Sequence, residues 1–372
     1  MILAIIIFIL ILGFLIFIHE FGHFISAKKM GVRVEEFGIG FPPAIWKKKR
    51  GETVYSINII PLGGFVKLYG EEGEEHLKDP RSFVSKSPFK KAIMILSGTM
   101  MNFLLALIIF YFLLIAGGFK SQLPLIFDYK FPFGTQQNFS VILAVAKDSP
   151  AQKAGLEAED IILKGNGEEF KNSSQFIEFI NQNKGKEVIL TLREARTEKI
   201  EEIKVVPRVE PPKNEGALGV ALGDVAEIRY EKPWEKITSG FLHSFNLSHL
   251  TFVGLGYYIK TSFVQKDVEP LATSVVGPVG ILAITKITLQ QGFNQVILFL
   301  ALISLALVLI NILPIPPLDG GILVFVILEA ITGKKIPSKI EKRIQQTGFV
   351  FFIILFILIS FKDLLQFKDI LF

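Results

Sequence analysis

Four long apolar runs dominate the chain, and between them the pattern turns polar. They extend from Ile2 to about Ala27, Ala92 to about Gly117, Val296 to about Leu313, and Phe349 to about Phe361. A helix needs roughly 20 mostly apolar residues to cross a hydrocarbon layer about 30 Å thick, so each run is read as a membrane span. The fourth is the shortest, its apolar run extended by the flanking Gly348 and Leu364. The apolar stretch "GGILVFVILEAI" follows the third span after a Pro- and Gly-rich break, and reads either as a continuation of that span or as a re-entrant piece.

Between Phe119 and about Asn294 the periodicity changes. "VILAVAKDSPAQKAGLEAED" begins with strand-like alternation and passes into a short helix with Gly155 just beyond its end. "EVILTLRE" and "EEIKVVPRV" read as two further strands. A small α+β domain is therefore expected over 127–224. From 225 to 292 aromatic, apolar and basic residues mix without an unbroken span, which predicts interfacial amphipathic helices. His243 and His249 lie there six residues apart, a spacing that does not share a helix face, and are expected to be membrane-surface polar residues.

Composition agrees with a membrane protein: half of the 372 residues are hydrophobic and 35 are Phe. The absence of Cys excludes disulfides and thiolate metal sites, so a metal would have to be held by His, Asp or Glu. The net charge of +5 is mild, and no basic patch of the kind that binds nucleic acid is present. The first span lacks a basic segment before it, and its first cations, Lys28 and Lys29, follow the apolar run, so it is read as retained. Thirteen Lys or Arg residues between Ser26 and Lys91, with "GKK" and "KIEKR" before the fourth span, place both loops in the cytoplasm by the positive-inside rule. The N-terminus, the 127–224 domain and the C-terminus then face outward. The expected order is a first span at 1–27, a cytoplasmic-side loop at 28–91, a second span at 92–118, the α+β domain, the interfacial helices, a third span with its following apolar stretch at 293–332, a loop at 333–348 and a fourth span at 349–366.

The chemistry concentrates in "HEFGH". Residues four apart share a helix face, so His19 and His23 can aim imidazole nitrogens at one ion while Glu20 lies close enough to act on a water there. Zinc suits such ligands. Two His and one Glu within five residues of an apolar span cost roughly 2.5–3.5 kcal/mol per ionisable group on insertion scales, and groups at such a cost are usually functional. A catalytic zinc needs a third protein ligand. His76 is one candidate, in the charged loop "GEEGEEHLKDP"; Asp319 in "NILPIPPLDGG" is the better one, because it follows the third span and reaches the depth of His23 on the same side. Pro314, Pro316 and Pro317 prevent regular helix there, and irregular backbone at membrane depth belongs in a protein-lined or wet cavity.

With these two motifs the chain resembles the site-2 protease family of intramembrane zinc metalloproteases, of the bacterial RseP and RasP type. "HEFGH" matches the family's first motif and "NILPIPPLDGG" its second. "VILAVAKDSPAQKAGLEAEDIILKGNGEEF" resembles a bacterial PDZ domain, with Glu159 in place of the glycine before Asp160. "EEFGIGFPPAIW" and "INIIPLGGFVKLYGE" resemble the family's β-hairpin that dips into the membrane, "LSGTMMNF" its second-span signature, and "VVGPVGI" a further family segment. Thr99 stands where that signature usually has proline, Ile322 where several relatives carry histidine, and one PDZ-like unit is present where some relatives have two.

The resemblance implies a polytopic α-helical membrane protein of about four transmembrane helices, with a membrane-associated β-hairpin and an inserted extracytoplasmic PDZ-like α+β domain. It implies one Zn²⁺ held by His19, His23 and Asp319, Glu20 as general base, and Asn311, Gly63, Gly64, Phe65 and Val66 as substrate-binding residues. It also implies a place in the bacterial cytoplasmic (inner) membrane, the active site near the cytoplasmic side, and single-span membrane protein substrates such as anti-sigma factors or signal-peptide remnants. The competing readings are an inactive membrane-anchored PDZ scaffold with a structural metal site, and a metal transporter. Glu20 beside the first ligand speaks against the scaffold; a single ligand set and only four spans speak against the transporter.

Overall fold

The computed structural model describes residues 1–71, 78–194, 197, 199–213 and 215–372, with only the backbone course described for 41, 60–62 and 270. His76, weighed above as a ligand, lies outside the described residues. Among the described residues the elements begin with α1 (Ile2–Lys29), β1 (Val34–Arg50), β2 (Thr53–Leu68), α2 (Pro88–Ala116), β3 (Lys120–Leu125), β4 (Thr135–Val145), α3 (Pro150–Ala154), β5 (Ile161–Gly165) and β6 (Glu168–Glu169). They continue with α4 (Ser173–Gln182), β7 (Val188–Arg193), β8 (Ile200–Val205), β9 (Val220–Arg229), α5 (Pro233–Ile237), α6 (Ser239–Gln265), α7 (Glu269–Ser274), α8 (Pro278–Gln291), α9 (Phe293–Asn311), α10 (Asp319–Thr332), α11 (Ser338–Gln366) and α12 (Lys368–Leu371).

Helices α1, α2, α9 and α11 are long and apolar enough to cross a membrane. They correspond to the four apolar runs. Helix α11 starts well before Phe349, because Pro337 precedes its first residue and the charged turns that follow contain no breaker. Helices α9 and α10 are separate: the prolines at 314, 316 and 317 supply no N–H to a helical ladder, and the intervening backbone turns between Asn311 and Asp319.

The chain folds as two compact units, 114–242 and the remainder. In the first, a sheet of order β3-β9-β4-β5-β7-β8 carries β6 on β5. Alternation in β7 buries Val188, Leu190 and Leu192, and these pack with Ile142, Ile162, Phe176 and Ile180 into one core. Ser149 caps α3 by accepting from the Gln152 N–H at 3.1 Å, and Gly155 ends it in the left-handed region at φ 87°. Asn172 caps α4 through the Gln175 N–H at 3.0 Å. The sheet extends past the expected 127–224: β3 starts at Lys120, and Leu125 to Lys120 pair with Asp224 to Arg229. Residues 225–229, expected to begin the interfacial helices, are instead the end of β9 because Lys120–Leu125 pairs with them.

In the second unit β1 and β2 pair twice. Residues 34–39 lie between 53–57 and 64–68, while 44–50 pair with 53–58. The hairpin is thus a ribbon four strands wide, in the order 44–50, 53–58, 34–39, 64–68. Among the described residues no strand pairs with the outer edge of 64–68. Helix α1 packs against α2, α8 and α9 through Ile11, Leu15, Leu105, Ile284, Phe299 and Ile303. At its C-terminal end Ala27, Val32, Val34, Leu68, Met94 and Val326 join α1, the ribbon, α2 and α10 in a second cluster. His243 differs from expectation: it is buried, edge-on to Phe110 of α2 with ring centroids 5.2 Å apart. His249 stacks on Phe245 at 6.2 Å.

Two buried ion contacts hold helices in place. Lys91 Nζ on α2 donates to Glu329 Oε2 on α10 at 2.7 Å. Asp363 Oδ2 on α11 accepts from the Gly277 and Gly280 N–H groups, each at 2.8 Å, so one helix caps the N-terminus of another, α8.

In the α+β unit, buried Glu227 contacts Arg229 Nε at 2.8 Å and Arg193 Nη2 at 3.0 Å. Burial pushes its carboxyl pKa up, but Arg229, Arg193 and Gln122 outweigh that and hold it below the ordinary 4.5. The stabilisation is therefore complete above that pH and lost as the pH falls through the lowered folded value. Glu227→Gln should destabilise this unit by about 3 kcal/mol at pH 7, with the gap to the parent closing in acid. Urea-dependent proteolysis of the 120–229 sheet at pH 7 and pH 3.5 measures both.

Candidate metal centre

The helical period puts His19 and His23 on the side of α1 that faces α2. There the helices touch backbone to backbone: a Cβ on Gly22 would fall 2.3 Å from Ser97 O. At the next residue of α2, a Cβ on Gly98 would fall 2.3 Å from His23 Nε2 and 2.9 Å from His19 Cε1. The imidazoles fill the space that a side chain at 98 would take. Asp319, the first residue of α10, enters from the proline-rich break.

Three donor atoms converge. His19 Nε2 and His23 Nε2 are 3.2 Å apart, and Asp319 Oδ2 lies 3.2 Å from the first and 3.5 Å from the second. Ligands about 2.0–2.1 Å from a tetrahedral zinc stand about 3.3–3.4 Å from one another, so the spacing fits one such ion. His23 Nδ1 lies 2.8 Å from Met94 O, a bond that puts its proton on Nδ1 and leaves Nε2 a free lone pair. The donor set of two imidazoles and a carboxylate is among those zinc takes, with a fourth position left over.

Around this centre the structure places further groups. Thr99 Oγ1 donates to Asp319 Oδ2 at 3.2 Å, so the residue that departs from the family signature touches the carboxylate. A Cβ on Gly64 would meet Glu20 Cγ at 2.9 Å and Ile16 Cγ2 at 3.1 Å, which brings the edge strand 64–68 directly onto Glu20. Val66 joins the apolar cluster at the end of α1, whereas Phe65 points the other way, its ring over Gly38. Gly63 has φ 122°, a conformation that favours glycine, just before the strand pairing resumes. Asn311 is the half-buried last residue of α9.

His19, Glu20, His23, Asp319 and Gly64 are thus brought together from three parts of the chain. Gly98, Thr99 and the Met94 carbonyl were not singled out as site groups from sequence. For Gly98 the "LSGTMMNF" match was the available signal; a backbone carbonyl offers none. Gly98→Ala should lower zinc affinity by at least about 10–100-fold, the range seen when a ligand loses its support, while Gly13→Ala, with open space around it, leaves affinity unchanged. Thr99→Val should lower affinity and Thr99→Ser restore it. Competition with a chromogenic chelator measures all four.

The sequence matches the family model described as Peptidase family M50 over residues 7–355. A protein of Clostridium perfringens with zinc metalloprotease in its name is 33% identical over 353 residues, 94% of this chain and 95% of that one. Zinc metalloprotease RasP of Oceanobacillus iheyensis is 27% identical over 96% of this chain and 97% of its own. A solved PDZ domain of an SdrC-like protein from Listeria monocytogenes is 25% identical over 25% of this chain and 93% of that domain, with a TM-score of 0.21. With a family match over nearly its whole length and a histidine pair and aspartate gathered at zinc spacing among apolar helices, the chain belongs to peptidase family M50, the site-2 proteases, and is an intramembrane zinc metalloprotease.

Proposed function

We propose that His19, His23 and Asp319 hold a single zinc ion and that Glu20 is the general base for hydrolysis of peptide bonds within or near the transmembrane segments of single-span proteins. The observation that carries this reading is the convergence of the three donor atoms at 3.2–3.5 Å beside Glu20. Zinc bound there supplies Lewis acidity, polarising the scissile carbonyl and easing deprotonation of water. The Glu20 carboxylate takes the proton of the attacking water and returns it to the leaving amine nitrogen. Met94 O and Thr99 Oγ1 hold two of the donors in orientation.

A closed helix hides its backbone from attack, so the substrate has to be extended first. The outer edge of 64–68, with Gly64 packed on Glu20, supports strand pairing with such a segment. Gly63, Gly64, Phe65 and Val66 would then bind substrate backbone, and Asn311 at the end of α9 would contact it too. The basic loops support an active site near the cytoplasmic face of a bacterial inner membrane, with the PDZ-like 127–224 region outside and filtering substrates by size or terminus. Anti-sigma factors already clipped outside, or remnant signal peptides, are substrates of suitable kind.

Glu20→Gln should keep its zinc, about one ion per chain, and lose at least about 100-fold in cleavage of a reconstituted single-span substrate. Cleavage that continues unchanged with zinc retained removes Glu20 from the mechanism. Comparing the membrane peptides that accumulate with wild type and Glu20→Gln identifies the substrates.

A further inference from the structure

On the side of α1 roughly opposite the two imidazoles, Phe17, Phe21 and Phe24 form a stripe at helical spacing. Phe17 and Phe21 stack at 5.7 Å, and Phe24 meets Phe37 edge-on at 5.2 Å. This stripe is one wall of a cavity of about 490 Å³; the β-ribbon is the other. The ribbon wall is built in rows across three strands. Trp46, Ile57 and Ile39 make one row, and Lys48, Tyr55 and Phe37 the next. Arg50, two residues beyond Lys48, shares their face.

The groove is therefore apolar and aromatic along its length and cationic at its outer strand. Among the described residues the ion pairs of this ribbon are Lys47 with Glu36 at 3.2 Å, Lys67 with Glu35 at 3.1 Å, and Glu52 with Lys28 and Arg81. Among the described residues Lys48 and Arg50 have no acidic partner. Lys28 Nζ, which also lies 5.9 Å from the Phe24 ring centroid, is a further cation at this end and is already paired with Glu52.

We propose that this groove seats an anionic phospholipid, with an acyl chain along the Phe17–Phe24 stripe and the headgroup phosphate between Lys48 and Arg50. Its position argues for a lipid. The stripe occupies the last turns of a membrane span, just before Lys28 and Lys29, so the boundary between hydrocarbon and headgroups passes along the groove. Trp46 and Tyr55 sit where amphipathic rings collect at that boundary. A lipid has the same order of apolar and anionic parts, and clustered Lys and Arg at the membrane surface recognise anionic headgroups. A transmembrane substrate fits less well, because segments flanking a span at a basic face are themselves enriched in Lys and Arg and would meet Lys48 and Arg50 with like charge. The groove lies away from the donor atoms, so its occupancy is read without proteolysis.

The chain has two Trp residues, so Trp234→Phe leaves Trp46 as the only indole reporter. The full-length variant is reconstituted in phosphatidylcholine with rising fractions of phosphatidylglycerol or phosphatidylcholine carrying brominated acyl chains. Half-maximal quenching of Trp46 is expected at about tenfold lower mole fraction for the anionic lipid. Lys48→Gln/Arg50→Gln should bring the two curves together, whereas Lys47→Gln/Lys49→Gln, on the other face of the same strand, should leave them apart. Coincident curves in the parent overturn the proposal, as does a preference that survives the first pair or is lost equally with the second. Relief of quenching by excess single-span substrate would assign the groove to substrate and overturn it as well.

Discussion

The site depends on how closely α1 and α2 approach. Two glycines allow it: Gly22 lets the backbone of α2 in at Ser97, and Gly98 leaves room for both imidazoles. With any larger residue at 98 the imidazoles would have to leave the positions where their Nε2 atoms stand 3.2 Å apart. Because packed helices do not deform freely, this contact also sets where the third donor must come from. Asp319 meets the pair only because the chain breaks between α9 and α10, and the Lys91–Glu329 bond holds α10 against α2.

Polar groups at membrane depth are expensive, and here several are answered by a specific partner. His23 has Met94 O, Asp319 has Thr99 Oγ1, and Ser26 Oγ meets Ser97 Oγ at 2.7 Å. Asp363 satisfies two N–H groups at the start of α8, where Gly277 and Gly280 admit its carboxylate. The β-ribbon is handled differently. Its inner strands pair on both sides, while 64–68 keeps one edge unpaired among the described residues and rests on Glu20. An unpaired edge is a liability in most sheets and a binding surface in a few.

Much of this was legible along the chain because it is local. Twenty apolar residues make a span wherever they occur, and His19 and His23 share a face through nothing more than helical period. Prolines at 314, 316 and 317 announced the break, and Ser149 and Gly155 announced the ends of a short helix. What escaped was set by partners far away in sequence. The closing strand residues 225–229 became strand because Lys120–Leu125 pairs with that part of β9. His243 is buried because Phe110 is beside it. The ribbon's double pairing is invisible in two runs of alternating residues, since alternation states which face a side chain takes and not how many neighbours a strand has.

The sequence by itself therefore determined the four apolar helices, the types of donor side chain and the placing of Glu20 between two histidines, because periodicity and the cost of charge in hydrocarbon act within a few turns of helix. It also supplied Asp319 by motif. Only the tertiary structure decided that Asp319 Oδ2 stands 3.2 and 3.5 Å from the two imidazoles, that Thr99 touches it, and that Gly64 lies on Glu20. Those distances are properties of three chain segments packed together, and a metal centre needs its donors placed to within a few tenths of an ångström, which no single segment can specify.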